Sequence, residues 1–371
     1  LLDFIRKSSV ATKEHGGITQ HIGAYQVSHG GKLITFIDTP GHAAFEKMRS
    51  RGAKVADIAI LVVAIDDGLM PQTLEAIKHI QAAKVSMIVA VNKIDLQGID
   101  QKVQLAKIKK QLSDQKINLE EYGGDTSLLP LSAKTGEGVD KLLEMILLVS
   151  EMHEIKGDPT LPPAGVIIEA TLDKFKGPIA TILIRNGTLK KGDQIEVGEI
   201  KSKVRGMFDF DGKPVDAVGP STPVEVLGLE AVPVVGAVLG ELAEVKEAEV
   251  MKSLVEKLQQ GETKTLKVII KADKQGSLEA IQTSLEKFNT ERKIVDYIAT
   301  GTGDIGEENI KLAASVGAIV IGFNVKIVPT AQKLAENEHV LIRTYNIIYE
   351  LLEDVEEEVN TLLEVGQLEE V

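Results

Sequence analysis

Cysteine and tryptophan are both absent from the 371 residues. Without cysteine there are no disulfides and no thiolate metal sites, a composition that suits a reducing cytoplasm. Aromatic residues make up only 4% of the chain, which leaves few platforms on which single-stranded nucleic acid can stack. No apolar run approaches the ~18–20 residues that a membrane-spanning helix needs. Leu1–Val10 lacks the apolar core and small-residue cleavage site of a secretory signal. Basic excess is missing too: the net charge is −13, with residues 1–156 neutral overall and the acidity beyond them. No segment has the positive balance of a stand-alone nucleic-acid binder. RNA contacts would fall to local patches such as Lys190, Lys191, Lys201, Lys203 and Arg205, residues of a kind that more often form a solvated face.

What is present is an alternation of apolar runs and amphipathic stretches. Asp57–Ala64, Ser86–Val91 and Leu128–Leu131 are apolar runs of the kind buried on both faces of a parallel sheet. Ala43–Ala53, Thr73–Ala83, Leu105–Leu112 and Val139–Ile155 carry helical periodicity. Ile22–Val27 and Leu33–Ile37 flank His29–Gly30–Gly31–Lys32 and predict a β-hairpin. Together these predict an α/β domain with a doubly wound parallel sheet over residues 1–156. Beyond the Pro/Gly-rich linker Lys156–Pro163 the period changes to two. Short strands, among them Val166–Thr171 and Ser202–Phe208, are separated by turns at Asn186–Gly187, Lys191–Gly192–Asp193 and Asp211–Gly212. They predict a small β-barrel over 164–245. A charged helix over 246–264 reads as a connector. Residues 265–345 return to alternating strands and helices, a second α/β domain. Residues 346–371 open with an amphipathic helix whose apolar face runs from Ile347 to Leu363. Gly301–Gly306 looks superficially like a dinucleotide loop, lacks the acidic residue that should follow, and reads as a turn.

Three loops carry candidate chemistry, each read as following a strand of the parallel sheet, where ligands bind in such folds. The first is Asp38–Thr39–Pro40–Gly41–His42. An aspartate there can hold Mg2+ directly or through water, a glycine N–H can approach a terminal phosphate closely, and His42 can reach an attacking water. Alone, the stretch fits an ordinary Asp-Pro-Gly turn equally well. The second is Asn92–Lys93–Ile94–Asp95. Its aspartate can accept both N1–H and the exocyclic amine of guanine, donors that adenine does not offer. Asn92 can contact N7 and brace neighbouring loops, and the Lys93 stem can cover the base. The third is Ser132–Ala133–Lys134, which can present a backbone N–H to the guanine O6. Upstream, Thr19 lies in the polar loop Glu14–His21, either as a metal-binding hydroxyl or as a plain loop residue.

These three loops in this order resemble the signature loops of translational GTPases. Within that family, Gly16–Gly17–Ile18–Thr19–Gln20–His21, Asp66–Asp67–Gly68–Leu69–Met70–Pro71–Gln72–Thr73 and Lys271–Ala272–Asp273–Lys274–Gln275–Gly276–Ser277 resemble the bacterial initiation factor 2 group, and the likeness runs along essentially the whole chain. The resemblance implies a GTPase domain, an elongation-factor-like barrel, an α/β third domain and a long helix. It implies binding of GTP and GDP with Mg2+ held by Thr19 and Asp38, and Gly41 facing the γ-phosphate. It assigns His42 to orienting the attacking water once the ribosome is engaged. The implied partners are both ribosomal subunits with their RNA and initiator formyl-methionyl-tRNA, with no membrane and a cytoplasmic monomer off the ribosome. The family's phosphate loop would precede Leu1 and its tRNA-binding barrel would follow Val371, so the chain is expected to be the middle of a longer factor. Two alternatives remain at this stage. One is a non-enzymatic ribosome-binding module with an inert first domain. The other is a GTPase of elongation or selenocysteine type, against which the Gly-Ile-Thr-Gln-His loop and the third domain argue.

Overall fold

Gly30 and Gly31, at φ 58° and 77°, supply the two positive angles that a tight hairpin turn demands. They join β1 (Gly23–His29) to β2 (Lys32–Asp38), which follow the short helix α1 (Leu2–Arg6). The hairpin is in register from His29 opposite Lys32 to Gly23 opposite Asp38. The structure, a computed structural model, describes residues 1–7, 18–240, 265–289 and 294–369, with side chains as far as residue 359. The chain divides into two units, Leu1–Leu161 with Gly219–Pro223, and Pro162–Val218 with Val224–Val371.

The first unit continues with α2 (Glu46–Val55), β3 (Ile58–Ala64), α3 (Pro71–Ala83), β4 (Ser86–Asn92), α4 (Gln101–Asp114), β5 (Ser127–Pro130) and α5 (Val139–Met152). β3, β4 and β5 lie side by side in that order, all parallel. Ile88, Val89, Ala90 and Val91 of the central strand are all fully buried. Successive side chains point to opposite faces of a strand. Val89 and Val91 pack with Ile77 of α3 and Ile108 and Leu112 of α4. Ile88 and Ala90 pack with Leu142 and Ile146 of α5 and Phe36 of the hairpin. Both faces are covered, which is why the strand's sequence is an unbroken apolar run. Contrary to what the sequence led one to expect, Asp38 does not follow a strand of the parallel sheet. The strand leading into Asp38 is not part of the parallel sheet; β2 pairs antiparallel with β1 in a separate two-stranded sheet. The glycine turn sends the chain straight back, so one edge of β2 pairs with β1, while its other edge pairs with no strand among the described residues.

In the second unit, β6 (Ala164–Asp173) and β7 (Gly177–Asn186) form a long hairpin. Shorter strands follow: β8 (Leu189–Lys190), β9 (Gln194–Val197), β10 (Ile200–Lys203), β11 (Gly206–Phe208), β12 (Ala217–Val218), β13 (Pro223–Leu227) and β14 (Val238–Leu239). Seven of these make one sheet in the order β10-β9-β14-β6-β7-β13-β11 around a core that includes Ile167, Ile182, Ile184 and Val226. Its outer strands β10 and β11 are not paired with each other, so the expected barrel is a half-barrel. The single strand expected over Ser202–Phe208 is two. Val204 and Arg205 carry the chain between the sheet's ends, where their N–H groups donate to the carbonyls of Asp193 and Leu227.

The third domain alternates β15 (Leu266–Ala272), α6 (Gln275–Leu285), β16 (Val295–Thr302), α7 (Glu307–Val316), β17 (Ile319–Phe323), α8 (Pro329–Glu338) and β18 (Ile342–Tyr345). Its four strands are parallel in the order β16-β15-β17-β18. Gly303, at φ 98°, turns the chain after β16, and its N–H donates to Ala272 at 2.9 Å. Within this unit Glu169 of β6, 5% exposed, accepts from the Gly276 N–H of α6 at 3.3 Å, and the Thr171 hydroxyl donates to the Asp273 carbonyl at 2.5 Å. The last helix, α9 (Ile348–Glu369), buries Ile348, Leu351, Val355 and Val359. Asp354 accepts from the Tyr345 hydroxyl at 2.7 Å, and Glu358 from Arg343 at 2.7 Å. The connector expected over 246–264 lies outside the described residues. Among the described residues no helix is long and apolar enough to cross a membrane.

Candidate nucleotide site

The carboxyl ends of β4 and β5 are stitched together by side chains. Asn92, the last residue of β4, accepts the Ala133 N–H on Oδ1 at 2.8 Å. The Ser132 hydroxyl donates to Asp95 Oδ1 at 2.6 Å and accepts the Thr135 N–H at 3.1 Å. Ser132 is fully buried, so its hydroxyl bonds within the protein rather than with water. Its hydrogen bond holds the Asp95 carboxyl below the ordinary carboxylate range, and the group is ionised at neutral pH. Each carboxylate oxygen has two lone pairs, so Ser132 leaves acceptor capacity for two donors on a base edge. The Ala133 N–H is committed to Asn92, and the backbone N–H left open in this loop among the described residues is that of Lys134.

Lys93 sits at φ 69°, a left-handed angle that costs a side-chain-bearing residue energy and aims it out of the strand direction. Its ammonium lies 3.0 and 3.1 Å from the two oxygens of Asp66 and 3.4 Å from Asp67. The acidic pair raises the Lys93 pKa, and the lysine lowers that of Asp66. The lysine side chain thereby reaches the loop after β3.

The Asp38–His42 loop leaves the end of β2 and enters a 3-10 turn at Ala43–Phe45. His42 caps that turn: its Nδ1 accepts the Ala44 N–H at 3.2 Å. A nitrogen that accepts carries no proton, so Nε2 is the protonated nitrogen of the neutral ring. In this arrangement His42 can hold a water by donating to its oxygen. The ring stands edge-on to Phe45 at 6.3 Å. Gly52 of α2 lets the Thr39 methyl close in, where a Cβ would sit 2.7 Å from it. Asp38 and Thr19 are both half-buried. A carboxylate and a hydroxyl form an all-oxygen donor set, which fits Mg2+, an ion that keeps several waters and few protein ligands. The structure thus brings Asn92, Asp95, Ser132 and Ala133 into direct contact and sets Asp38–His42 on its separate hairpin.

A family model described as elongation factor Tu GTP binding domain matches residues 6–151, and one described as elongation factor G domain 2 matches residues 162–242. A model described as translation-initiation factor 2 matches residues 241–356. A translation initiation factor IF-2 from Desulforamulus reducens is 48% identical, over 98% of this chain and 39% of the relative. Another from Clostridioides difficile is 47% identical, over 100% of this chain and 60% of the relative. The chain belongs to the translation initiation factor 2 family. It spans 39% to 60% of the length of these family members. A solved structure of the same architecture, GDP-bound aIF5B from Aeropyrum pernix, is 27% identical with a TM-score of 0.54, covering 99% of this chain and 73% of that one.

Four residues that support the candidate site were given no part in it by the sequence reading, although Asp66 and Asp67 lie in a stretch that carries the family resemblance. Asp66 and Asp67 anchor Lys93. Arg49 of α2 and Glu75 of α3 back the His42 loop. The Asp-Asp pair directly after the β3 run was a usable signal, being two acids at a strand's carboxyl end. Arg49 left none, because an arginine in an amphipathic helix is ordinary until its burial is seen.

Proposed function

We propose that the first unit is the G domain of a translation initiation factor. It binds GTP and GDP with Mg2+ and hydrolyses GTP when the ribosome is engaged. The observation that carries this reading is the braced set Asn92–Ala133 and Ser132–Asp95 at the ends of adjacent parallel strands. An ionised aspartate held there accepts the N1–H and exocyclic amine of guanine and repels the acceptor edge of adenine. Asn92 meets N7, the Lys93 stem covers one face of the base, and the loop Ser132–Ala133–Lys134 offers the N–H to O6. The Gly41 N–H meets the terminal phosphate, beside Asp38, Thr39 and Pro40. His42 donates to the attacking water. Thr19 and Asp38 hold the ion, which when bound offsets charge on the phosphate oxygens. The GDP in the aIF5B structure, at 27% identity, supports the nucleotide assignment. The half-barrel, the third domain and α9 would carry the nucleotide state to the two ribosomal subunits and to initiator tRNA. The factor would work as a cytoplasmic monomer between ribosome encounters.

The test is single-turnover GTP hydrolysis by the full-length protein with and without ribosomes. Ribosomes should accelerate the reaction. His42→Ala should slow the accelerated step by about 100-fold or more, the range for a lost positioning group, while GTP affinity stays within about twofold. Hydrolysis indifferent to His42→Ala would overturn the reading.

A further inference from the structure

Behind the Asp38–His42 loop stands one buried cation. Arg49, in the first turn of α2, is 8% exposed. Its Nη1 donates to the Pro40 carbonyl at 2.9 Å and also to the His42 carbonyl. Its Nε donates to Glu75 Oε1 of α3 at 3.1 Å, and Nη2 donates to the same oxygen. A guanidinium has its donors fixed in one plane, so seating one edge on Glu75 dictates where the other edge points.

The two carbonyl contacts straddle Gly41. The described residues contain no cis peptide. In a trans peptide the C=O and the following N–H point in opposite directions. Holding the Pro40 carbonyl against Arg49 therefore turns the Gly41 N–H away from α2, to the open side of the loop. Gly41 is exposed, and a Cβ built on it would have no neighbour within 4 Å. No side-chain packing restrains this glycine, the residue with the most backbone freedom to lose. The second contact fixes the His42 carbonyl, which also accepts the Phe45 N–H at 3.0 Å and so sets the turn that His42 caps.

We propose that Arg49, anchored by Glu75, is a positioning residue that presets the direction of the Gly41 N–H and the place of the His42 ring. Its consequence for hydrolysis rests on the GTPase reading above; its consequence for the loop does not. Glu75 also belongs, with Glu46 and His79, to a group whose ligand atoms lie within 4.8 Å of one another. Both bonds from Arg49 to α3 fall on Glu75 Oε1, which makes this carboxylate the anchor of the arginine.

The experiment uses the full-length protein and two readouts. The first is amide hydrogen exchange without nucleotide. Arg49→Met should speed exchange over residues 41–45 by about tenfold or more, while the β4 amides keep their protection. The second is ribosome-stimulated hydrolysis. Arg49→Met should lower kcat by about 10- to 100-fold with GTP affinity within about threefold, the signature of misplacement rather than lost binding. Arg49→Lys should not rescue, because a point donor cannot span two carbonyls and a carboxylate in one plane. Adding Arg49→Met to His42→Ala should slow the reaction by less than the product of the two single losses, because the share carried through the His42 ring is already gone and only the share carried through the Gly41 N–H remains. Should Arg49→Met unfold the domain, seen as lost β4 protection, Glu75→Gln carries the same two tests with the arginine kept. Unchanged exchange over 41–45, or rate losses that multiply with that of His42→Ala, would overturn the proposal. If His42→Ala itself has no effect, the GTPase reading fails and the exchange result alone decides the clamp.

Discussion

Asn92→Ala probes the brace between the loops at Asn92–Asp95 and Ser132–Lys134. Asn92 Oδ1 accepts the Ala133 N–H at 2.8 Å, and Ala133 is half-buried. A hydrogen bond of this kind contributes about 0.5–1.5 kcal/mol net, and a buried donor left without a partner costs about 1–3 kcal/mol. Half-burial lets water reach part of the orphaned N–H, which sets the loss at about 1–2 kcal/mol. For a domain of about 150 residues each kcal/mol lowers Tm by about 2–4 °C, so a drop of about 2–8 °C follows. The freed loop also carries Ser132, whose hydroxyl holds Asp95 at 2.6 Å. Loosening it should weaken GDP binding by about tenfold, equivalent to about 1.4 kcal/mol. Asn92→Asp is the control. It keeps an oxygen to accept the Ala133 N–H but loses the amide donors, so it should unfold near the wild-type temperature while still binding GDP more weakly. Thermal unfolding and fluorescent GDP titration on the full-length protein read both quantities. Asn92→Ala unfolding within about 1 °C of wild type, or Asn92→Asp losing as much stability as Asn92→Ala, would refute the brace.

Two further expectations follow from packing and titration. Burial raises Asp273 to about 6 from the ordinary 3.8, against the lowering effects of Lys274 and the Ser277 hydrogen bond. The folded protein therefore holds this proton more tightly than the unfolded chain, so the group's contribution is complete below about pH 4 and is lost as pH rises through about 6, at most about 3 kcal/mol. Asp273→Asn should raise Tm more at pH 8 than at pH 5, and a gain equal at both would contradict the burial argument. Gly52→Ala would place a Cβ 2.7 Å from the Thr39 methyl. Overpacking of that kind costs about 1–3 kcal/mol, so the variant should both lower Tm and slow ribosome-stimulated hydrolysis; wild-type values for both would remove Gly52 from the loop's support.

The parts legible in the sequence were those whose cause is local. Ile88–Val91 announces a doubly covered strand because each of four successive residues is apolar. Gly30–Gly31 announces a hairpin because few other residues accept both turn angles. The loops at Asn92–Asp95 and Ser132–Lys134 were legible as neighbours at strand ends because their residue types sit directly after such strands, and the structure links them through Asn92–Ala133 and Ser132–Asp95. What escaped depended on partners far along the chain. β2 was expected to pair with β1 and also to join the parallel sheet; its apolar run and turn announce the first ladder but say nothing about what lies along its second edge. Ser202–Phe208 read as one strand, yet the break at Val204 and Arg205 is set by acceptors on Asp193 and Leu227. The Arg49–Glu75 pair spans 26 positions and the Asn92–Ala133 brace 41. Neither separation has a periodicity to reveal it. Asn92 was recognised as a bracing residue by type, but only the fold shows that its acceptor takes Ala133 and leaves the Lys134 N–H open.

The central claim is that Asp95 reads guanine, and base selectivity of the full-length protein tests it most directly. Fluorescent GDP bound in the presence of Mg2+ should be displaced by GDP and not by ADP. Asp95→Asn should lose guanosine diphosphate and gain xanthosine diphosphate, whose C2 oxygen can accept from the new amide where guanine offers a second donor. Equal displacement by ADP, or an Asp95→Asn variant with unchanged preference for guanosine, would contradict the account.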